Sequence, residues 1–92
     1  MKNLRLQARV KGLVQGVSFR FYTQRKAIAL EVVGWVRNES NGDVTLVAEG
    51  PERKLQELLE FVQVGPPYAR VDGVDSRWSE PTGEFRRFVI AR

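Results

Sequence analysis

The sequence predicts an α+β fold in which a mostly antiparallel sheet carries two helices on one face. Three observations lead to this prediction. Residues 4–11 alternate strictly between apolar and polar side chains, which is typical of a strand with one buried face. Residues 55–62 carry apolar side chains at helical spacing. An Asn-Gly pair at 41–42 lies between two apolar runs and indicates a β-hairpin.

The first third of the chain is predicted to form a strand, a loop and a helix. One face of the strand is apolar, formed by Leu4, Leu6, Ala8 and Val10. A helix is then predicted from Ser18, a favourable N-cap residue, to about Glu31. Its apolar stripe follows helical spacing and consists of Phe19, Thr23, Ala27 and Leu30. We expect this stripe to pack on the sheet.

The rest of the chain completes the sheet. Residues 34–38 and 44–49 are predicted to be the two strands of the hairpin. The second helix should end at the Gly-Pro-Pro of residues 65–67, because neither residue type continues a helix well. Two further strands are predicted at 74–79 and 85–91. The order is the ferredoxin-like β-α-β-β-α-β sandwich with an extra short C-terminal strand, and right-handed crossovers put both helices on one face.

Composition and charge narrow the range of functions. The chain is predicted to form one domain, residues 1–92, and it has no cysteine and no histidine. Disulfides, thiol nucleophiles and the usual base near neutral pH are therefore excluded. Lys and Arg outnumber Asp and Glu by 15 to 11, and this small, dispersed excess does not require a nucleic acid partner. No stretch has the length and apolarity of a signal or membrane span, so we expect a cytoplasmic protein without membrane contact.

The segment GLVQGVSFR, residues 12–20, is predicted to bind an anion. Gly12 and Gly16 let the backbone turn between strand and helix, so that several N–H groups point into one concavity. The planar donor fork of Arg20 suits two oxygens of a phosphate or carboxylate. The spacing fits neither a Walker loop nor GxGxxG, and Val14 stands where a cysteine phosphatase loop has its thiol. The alternative is a tight glycine turn with a surface arginine.

Asn38 is the second candidate, at the point where a strand enters the hairpin. In a split βαβ unit this strand runs parallel to the first, so their ends lie at the same edge of the sheet. Asn38 should therefore come near the 12–20 loop. The alternative is that Asn38 caps its own turn, although Asn41 is better placed for that role.

Together, GLVQGVSFR and GWVRNESNGDVTLVAEG resemble the two signature motifs of the acylphosphatases. The length and element order are also similar, so the resemblance covers essentially all 92 residues. It implies an enzyme that hydrolyses the carboxyl–phosphate bond of acyl phosphates and releases inorganic phosphate, with no metal and no cofactor. We expect a monomer whose partners are small molecules, with no nucleic acid and no membrane.

The resemblance also implies roles for individual residues. Arg20 corresponds to the phosphate-binding arginine of the family and Asn38 to its water-orienting asparagine; these are the expected catalytic residues. The expected phosphate-binding loop supplies backbone amides from Gln15, Gly16, Val17, Ser18 and Phe19. Glu39, next to Asn38, either repels the substrate phosphate or helps to hold the water, and the sequence leaves both open.

Two competing interpretations concern binding rather than catalysis. RNA-recognition domains share the element order and stack bases on aromatic residues of their central strands. The first and third predicted strands here offer no aromatic platform on either face. The second alternative keeps the anion loop in a regulatory domain without turnover.

Two apolar side chains of the first helix, Phe21 and Ile28, are predicted to lie on its outer side, opposite the buried stripe. A single exposed apolar residue needs no special explanation. The alternative for Phe21, because it adjoins Arg20, is contact with an acyl group or a partner.

Overall fold

The computed structural model describes residues 2–92, and its elements follow the predicted order. Their bounds are β1 Asn3–Leu13, α1 Phe19–Ala29, β2 Val33–Asn38, β3 Val44–Pro51, α2 Glu52–Val64, β4 Arg70–Ser79 and β5 Phe88–Ile90. The predicted α+β fold, ferredoxin-like with an additional C-terminal strand, is confirmed. Neither α1 nor α2, the helices of this described part, is long and apolar enough to span a bilayer.

The sheet has the strand order β4-β1-β3-β2-β5. Strand β3 pairs antiparallel with both β1 and β2, so β1 and β2 run parallel to each other with β3 between them. Val10 of β1 and Asn38 of β2 both lie opposite Val44. The exit of β1 and the end of β2 therefore meet at the same edge of the sheet, where the loop into α1 begins.

The core lies between the sheet and the two helices. Alternate residues of the central strands are fully buried on this face, including Leu6, Ala8, Val10, Val36, Leu46 and Ala48. The predicted helix stripes face them: Phe19, Thr23 and Ala27 of α1 and Leu55, Leu58 and Val62 of α2 are all at most 1% exposed. The periodicity of the sequence thus identified the packed faces correctly.

Helix α1 differs from the prediction at both ends. Ser18 occupies the N-cap position, but its side chain makes no capping hydrogen bond and its backbone is left-handed, with φ 62°. The predicted position of the N-cap is therefore confirmed, but the expected side-chain hydrogen bond is not formed. The helix ends at Ala29 rather than near Glu31, because Glu31 itself adopts a left-handed φ of 60°. The last strand is also shorter than predicted and covers only Phe88–Ile90.

Gly12 was predicted to form a turn of the anion loop, but it is part of the sheet. It lies inside β1, at the register shift that follows Lys11 in the pairing with β4. Its φ is 130°, and a Cβ at this position would overlap the carbonyl oxygen of Arg70. Only glycine allows the two backbones to approach this closely.

On the sheet face away from the helices, the connection between β4 and β5 is held by a buried carboxylate. Glu49 of β3 is 5% exposed. It accepts hydrogen bonds from Arg5 Nη1 at 2.8 Å, from the backbone N–H of Thr82 at 2.9 Å and from that of Gly83 at 3.0 Å. Burial opposes the charge of Glu49, but the backbone donors of Thr82 and Gly83 and the Arg5 guanidinium hold the pKa of its carboxyl below the usual value.

Replacing Glu49 by Ala is expected to lower the free energy of unfolding by about 3 kcal/mol at pH 7, because it leaves the backbone donors of Thr82 and Gly83 unpaired and removes the buried partner of Arg5, which keeps only the exposed Glu84. The folded pKa lies below the ordinary value of 4.5. This contribution is therefore complete above that pH and is lost as the pH falls through the folded pKa. Urea unfolding at pH 7 and at pH 3 should show the deficit of Glu49→Ala shrinking at the lower pH. Glu57→Ala, an exposed site on α2, is the control; an equal deficit at both pH values would contradict the assignment.

Candidate functional site

The loop after β1, the start of α1 and the end of β2 enclose one pocket of about 390 Å³. It is lined by Val14, Gly16, Ser18, Phe19, Arg20, Phe21, Asn38 and Ile90. This volume is within the range of pockets that bind small molecules. Both predicted catalytic residues, Arg20 and Asn38, therefore face the same cavity although they lie on different elements.

The loop approaches the helix through two left-handed residues. Gly16 has φ 75° and Ser18 has φ 62°. The first helical hydrogen bond of α1 runs from the N–H of Tyr22 to the carbonyl of Ser18, at 3.1 Å. The N–H groups of Phe19, Arg20 and Phe21 precede it and have no carbonyl within the helix to bind. Such donors, together with the positive end of the helix dipole, favour a bound anion.

Gln15 connects the loop to the hairpin that carries Asn38. Its side-chain Nε2 donates to the carbonyl oxygens of Glu39, at 2.8 Å, and Asp43, at 2.9 Å. The sequence suggested only a backbone role for Gln15 in the phosphate loop. The structure shows that its side chain closes the gap between the two segments. The position of the loop relative to Asn38 is thereby fixed by two hydrogen bonds.

Arg20 is available for a ligand. It lies in the first turn of α1, half-buried at the pocket wall. Within residues 2–92, no carboxylate forms an ion pair with its guanidinium, whereas Arg5, Arg9, Arg37 and Arg70 each have at least one such partner. An unpaired arginine beside unpaired helix N–H groups makes this wall of the pocket electropositive.

Asn38 presents a buried oxygen that lacks a partner. Its Oδ1 atom is inaccessible to solvent and forms no hydrogen bond with any of the residues described. An unpaired buried acceptor costs free energy, so native proteins keep few of them. The turn of the hairpin does not use Asn38, because the Oδ1 of Asn41 accepts the backbone N–H of Asp43 at 3.1 Å. The expected assignment of the turn to Asn41 is confirmed, and the amide of Asn38 is left for the pocket.

The two carboxylates of the hairpin next to Asn38, Glu39 and Asp43, are paired with arginines and do not line the pocket. Glu39 Oε2 lies 3.1 Å from Arg37 Nε, and Asp43 Oδ2 lies 2.7 Å from Arg9 Nε. The Arg9 guanidinium holds the pKa of the Asp43 carboxyl below its usual value. Across the described chain, no group of three or more His, Cys, Asp or Glu side chains is arranged to hold a metal ion. The negative charge of Glu39 is therefore offset at Arg37 rather than directed at the pocket.

The predicted loop residues contribute in different ways. Gly16, Ser18 and Phe19 line the pocket, Val17 packs against the hydrophobic core, and the side chain of Gln15 binds the hairpin. One lining residue was not found from the sequence. Ile90 reaches the pocket because β5 pairs in parallel with β2, which places it opposite Val36. An apolar residue in a short terminal strand gives no local signal of this neighbour.

Comparison with known proteins identifies close relatives. A sequence model described as Acylphosphatase matches residues 6–90. An acylphosphatase of Salinibacter ruber is 51% identical over 88 residues, which cover 96% of this chain and 93% of the relative. The crystal structure of acylphosphatase from Bacillus subtilis superimposes with a TM-score of 0.93 at 37% identity, covering 97% of this chain and 99% of that one. An acylphosphatase from Coxiella burnetii gives 0.87 at 36% identity, covering 98% and 94%.

Proposed function

Because the chain belongs to the acylphosphatase family, we propose that it hydrolyses acyl phosphates to a carboxylate and inorganic phosphate without a metal ion. One observation supports this mechanism above the others. An unpaired guanidinium, Arg20, and the side-chain amide of Asn38, whose Oδ1 has no partner, line one pocket at the N-terminus of a helix. A phosphate at Arg20 and a water molecule at the Asn38 amide would occupy this pocket together.

Phosphate binding falls to Arg20 and the backbone. The guanidinium donates two parallel hydrogen bonds to phosphoryl oxygens, and the N–H groups that precede Tyr22 supply further donors. These donors are fixed by the fold before substrate arrives, because Gln15 holds the loop against the hairpin. Preorganised donors stabilise the charge that builds on the phosphoryl oxygens in the transition state.

The attacking water is assigned to Asn38. The side-chain amide of Asn38 holds the water by a hydrogen bond and turns a lone pair of the water oxygen toward phosphorus. The water oxygen forms a bond to phosphorus while the bond to the acyl oxygen breaks, and that electron pair leaves with the carboxylate. The water oxygen keeps one of its protons and the other passes to a phosphoryl oxygen, so the products are a carboxylate and dihydrogen phosphate.

The chemistry explains how a chain without histidine or cysteine performs this reaction. The conjugate acid of the leaving carboxylate has a pKa of about 4 to 5, so no protein acid is needed to expel it. The protein then has two tasks, to position the water and to neutralise the phosphoryl oxygens. Arg20, the loop amides and Asn38 supply both.

Hydrolysis of benzoyl phosphate and acetyl phosphate in the presence of EDTA tests the proposal. We expect equal amounts of carboxylate and phosphate, at a rate that EDTA does not change. Activity lost with EDTA and restored by a divalent cation would overturn the metal-free mechanism. Folded protein that binds inorganic phosphate but hydrolyses neither substrate would instead make the pocket a binding site without turnover.

A further inference from the structure

We propose that Phe21 forms, together with Ile90, an apolar subsite for the acyl group, so that the pocket favours substrates with an aromatic or bulky apolar acyl moiety. This inference rests on the proposed hydrolysis of acyl phosphates and specifies its substrate class. The sequence alone left the role of Phe21 open between an isolated exposed side chain and a ligand contact.

The pocket has a polar side and an apolar side. Gly16, Ser18, Arg20 and Asn38 form the polar side, which the phosphate and the water occupy. The apolar lining residues are Val14, Phe19, Phe21 and Ile90. Val14 and Phe19 are 1% exposed and belong to the core, whereas Phe21 is 50% exposed and Ile90 is 39% exposed. Phe21 and Ile90 are therefore the apolar lining residues with surface left to cover.

Neighbouring parts of the chain hold the Phe21 ring and the backbone of Ile90. The ring of Phe21 packs edge to face on that of Tyr22, with centroids 5.6 Å apart, and the Arg25 guanidinium carbon lies 5.7 Å from the Phe21 centroid. Ile90 is fixed by the pairing of β5 with β2, which the N–H of Ala91 extends by donating to the carbonyl of Val36 at 2.8 Å. An ordered apolar wall binds with little loss of conformational entropy.

The connectivity of the substrate directs its acyl group to this wall. In an in-line displacement, the acyl oxygen leaves from the side of phosphorus opposite to the water. With the phosphate on Arg20, the acyl group extends toward the apolar lining of the pocket, which includes Phe21, the next residue in the chain. An apolar acyl group then covers Phe21 and Ile90 and removes their exposed surface from water. An acetyl group has less apolar surface to bury than a benzoyl group.

Four proteins suffice to test the subsite: wild type, Phe21→Ala, Ile90→Ala and Ile28→Ala. Ile28 is the matched control, because it is an exposed apolar residue of the same helix, 57% exposed, that does not line the pocket. For each protein we would measure kcat/KM with benzoyl phosphate and acetyl phosphate, and the inhibition constant of inorganic phosphate. Inorganic phosphate lacks an acyl group and so reports on the polar side alone.

We expect Phe21→Ala to reduce kcat/KM for benzoyl phosphate about tenfold, chiefly through KM, and that for acetyl phosphate by no more than about twofold. Ile90→Ala should act in the same direction, and Ile28→Ala should leave the substrate ratio unaltered. An equal loss on both substrates, or a weakened inhibition by phosphate, would show that Phe21 supports the loop and would overturn the subsite. Unchanged values for both substrates would leave Phe21 a surface residue. If the wild-type protein hydrolysed neither substrate, the proposed function itself would fail.

Discussion

Replacement of Arg20 by Ala should lower kcat/KM for acyl phosphates by about a hundredfold or more and weaken inhibition by inorganic phosphate. Loss of a preorganised donor to a developing oxyanion costs about 3 kcal/mol, and each 1.4 kcal/mol corresponds to a factor of ten. Arg20 is expected to contact the phosphate both in the bound substrate and in the transition state, so KM should rise and kcat should fall. Arg20→Lys keeps the charge but not the planar fork and should recover only part of the activity.

The matched control for this prediction is Arg53→Ala. Arg53 is an exposed residue of α2 outside the pocket, so its replacement changes the net charge by the same amount. If Arg53→Ala and Arg20→Ala reduced activity equally, the effect would be one of overall charge. A loss of less than tenfold in Arg20→Ala would contradict its role in phosphate binding.

Replacement of Asn38 by Ala should reduce kcat by about a hundredfold or more while inhibition by inorganic phosphate stays close to that of the wild type. The reason is that the Asn38 amide is assigned to the water and not to the phosphate, so its loss affects the transition state more than binding. Steady-state kinetics on benzoyl phosphate, with phosphate as a competitive inhibitor, separates the two effects. Folding can be followed alongside by urea unfolding.

Asn41→Ala is the control for this second prediction. It removes an amide from the same hairpin, one that binds Asp43 in the turn instead of lining the pocket. We expect Asn41→Ala to lower stability slightly and to leave most of the turnover. A kcat for Asn38→Ala close to that of the wild type would contradict the proposal that Asn38 positions the attacking water.

The fold could be predicted from the sequence wherever residues close together in the chain carry the signal. The alternation of β1 and the apolar spacing of α2 specify their buried faces by period alone, and Asn41-Gly42 specifies the hairpin. The ends of α1 were less accessible. Serine is a frequent N-cap, but the loop brings Ser18 into the helix with a left-handed backbone, which prevents the side-chain cap. The path of the loop therefore sets the backbone conformation of Ser18, against the usual preference of serine for a side-chain cap.

Part of the site was also accessible, because topology follows from element order. Parallel β1 and β2 end at one edge, and this places Asn38, the last residue of β2, near the loop after β1. Contacts between distant segments gave no such signal. The hydrogen bonds of Gln15 to the hairpin, the approach of Ile90 and the burial of Glu49 under residues 82–83 all depend on how loops and the last strand pack. These are tertiary outcomes that no short pattern encodes.

The central claim is that a water molecule held at Asn38 attacks phosphorus while the acyl oxygen departs. Hydrolysis of benzoyl phosphate in water enriched in oxygen-18, with EDTA present, tests this most directly. We predict one labelled oxygen in each phosphate released, seen as an isotope shift in the phosphorus NMR spectrum, and unlabelled benzoate by mass spectrometry. Label in the benzoate would show that water attacks the carbonyl carbon instead, and would contradict the roles assigned to Arg20 and Asn38.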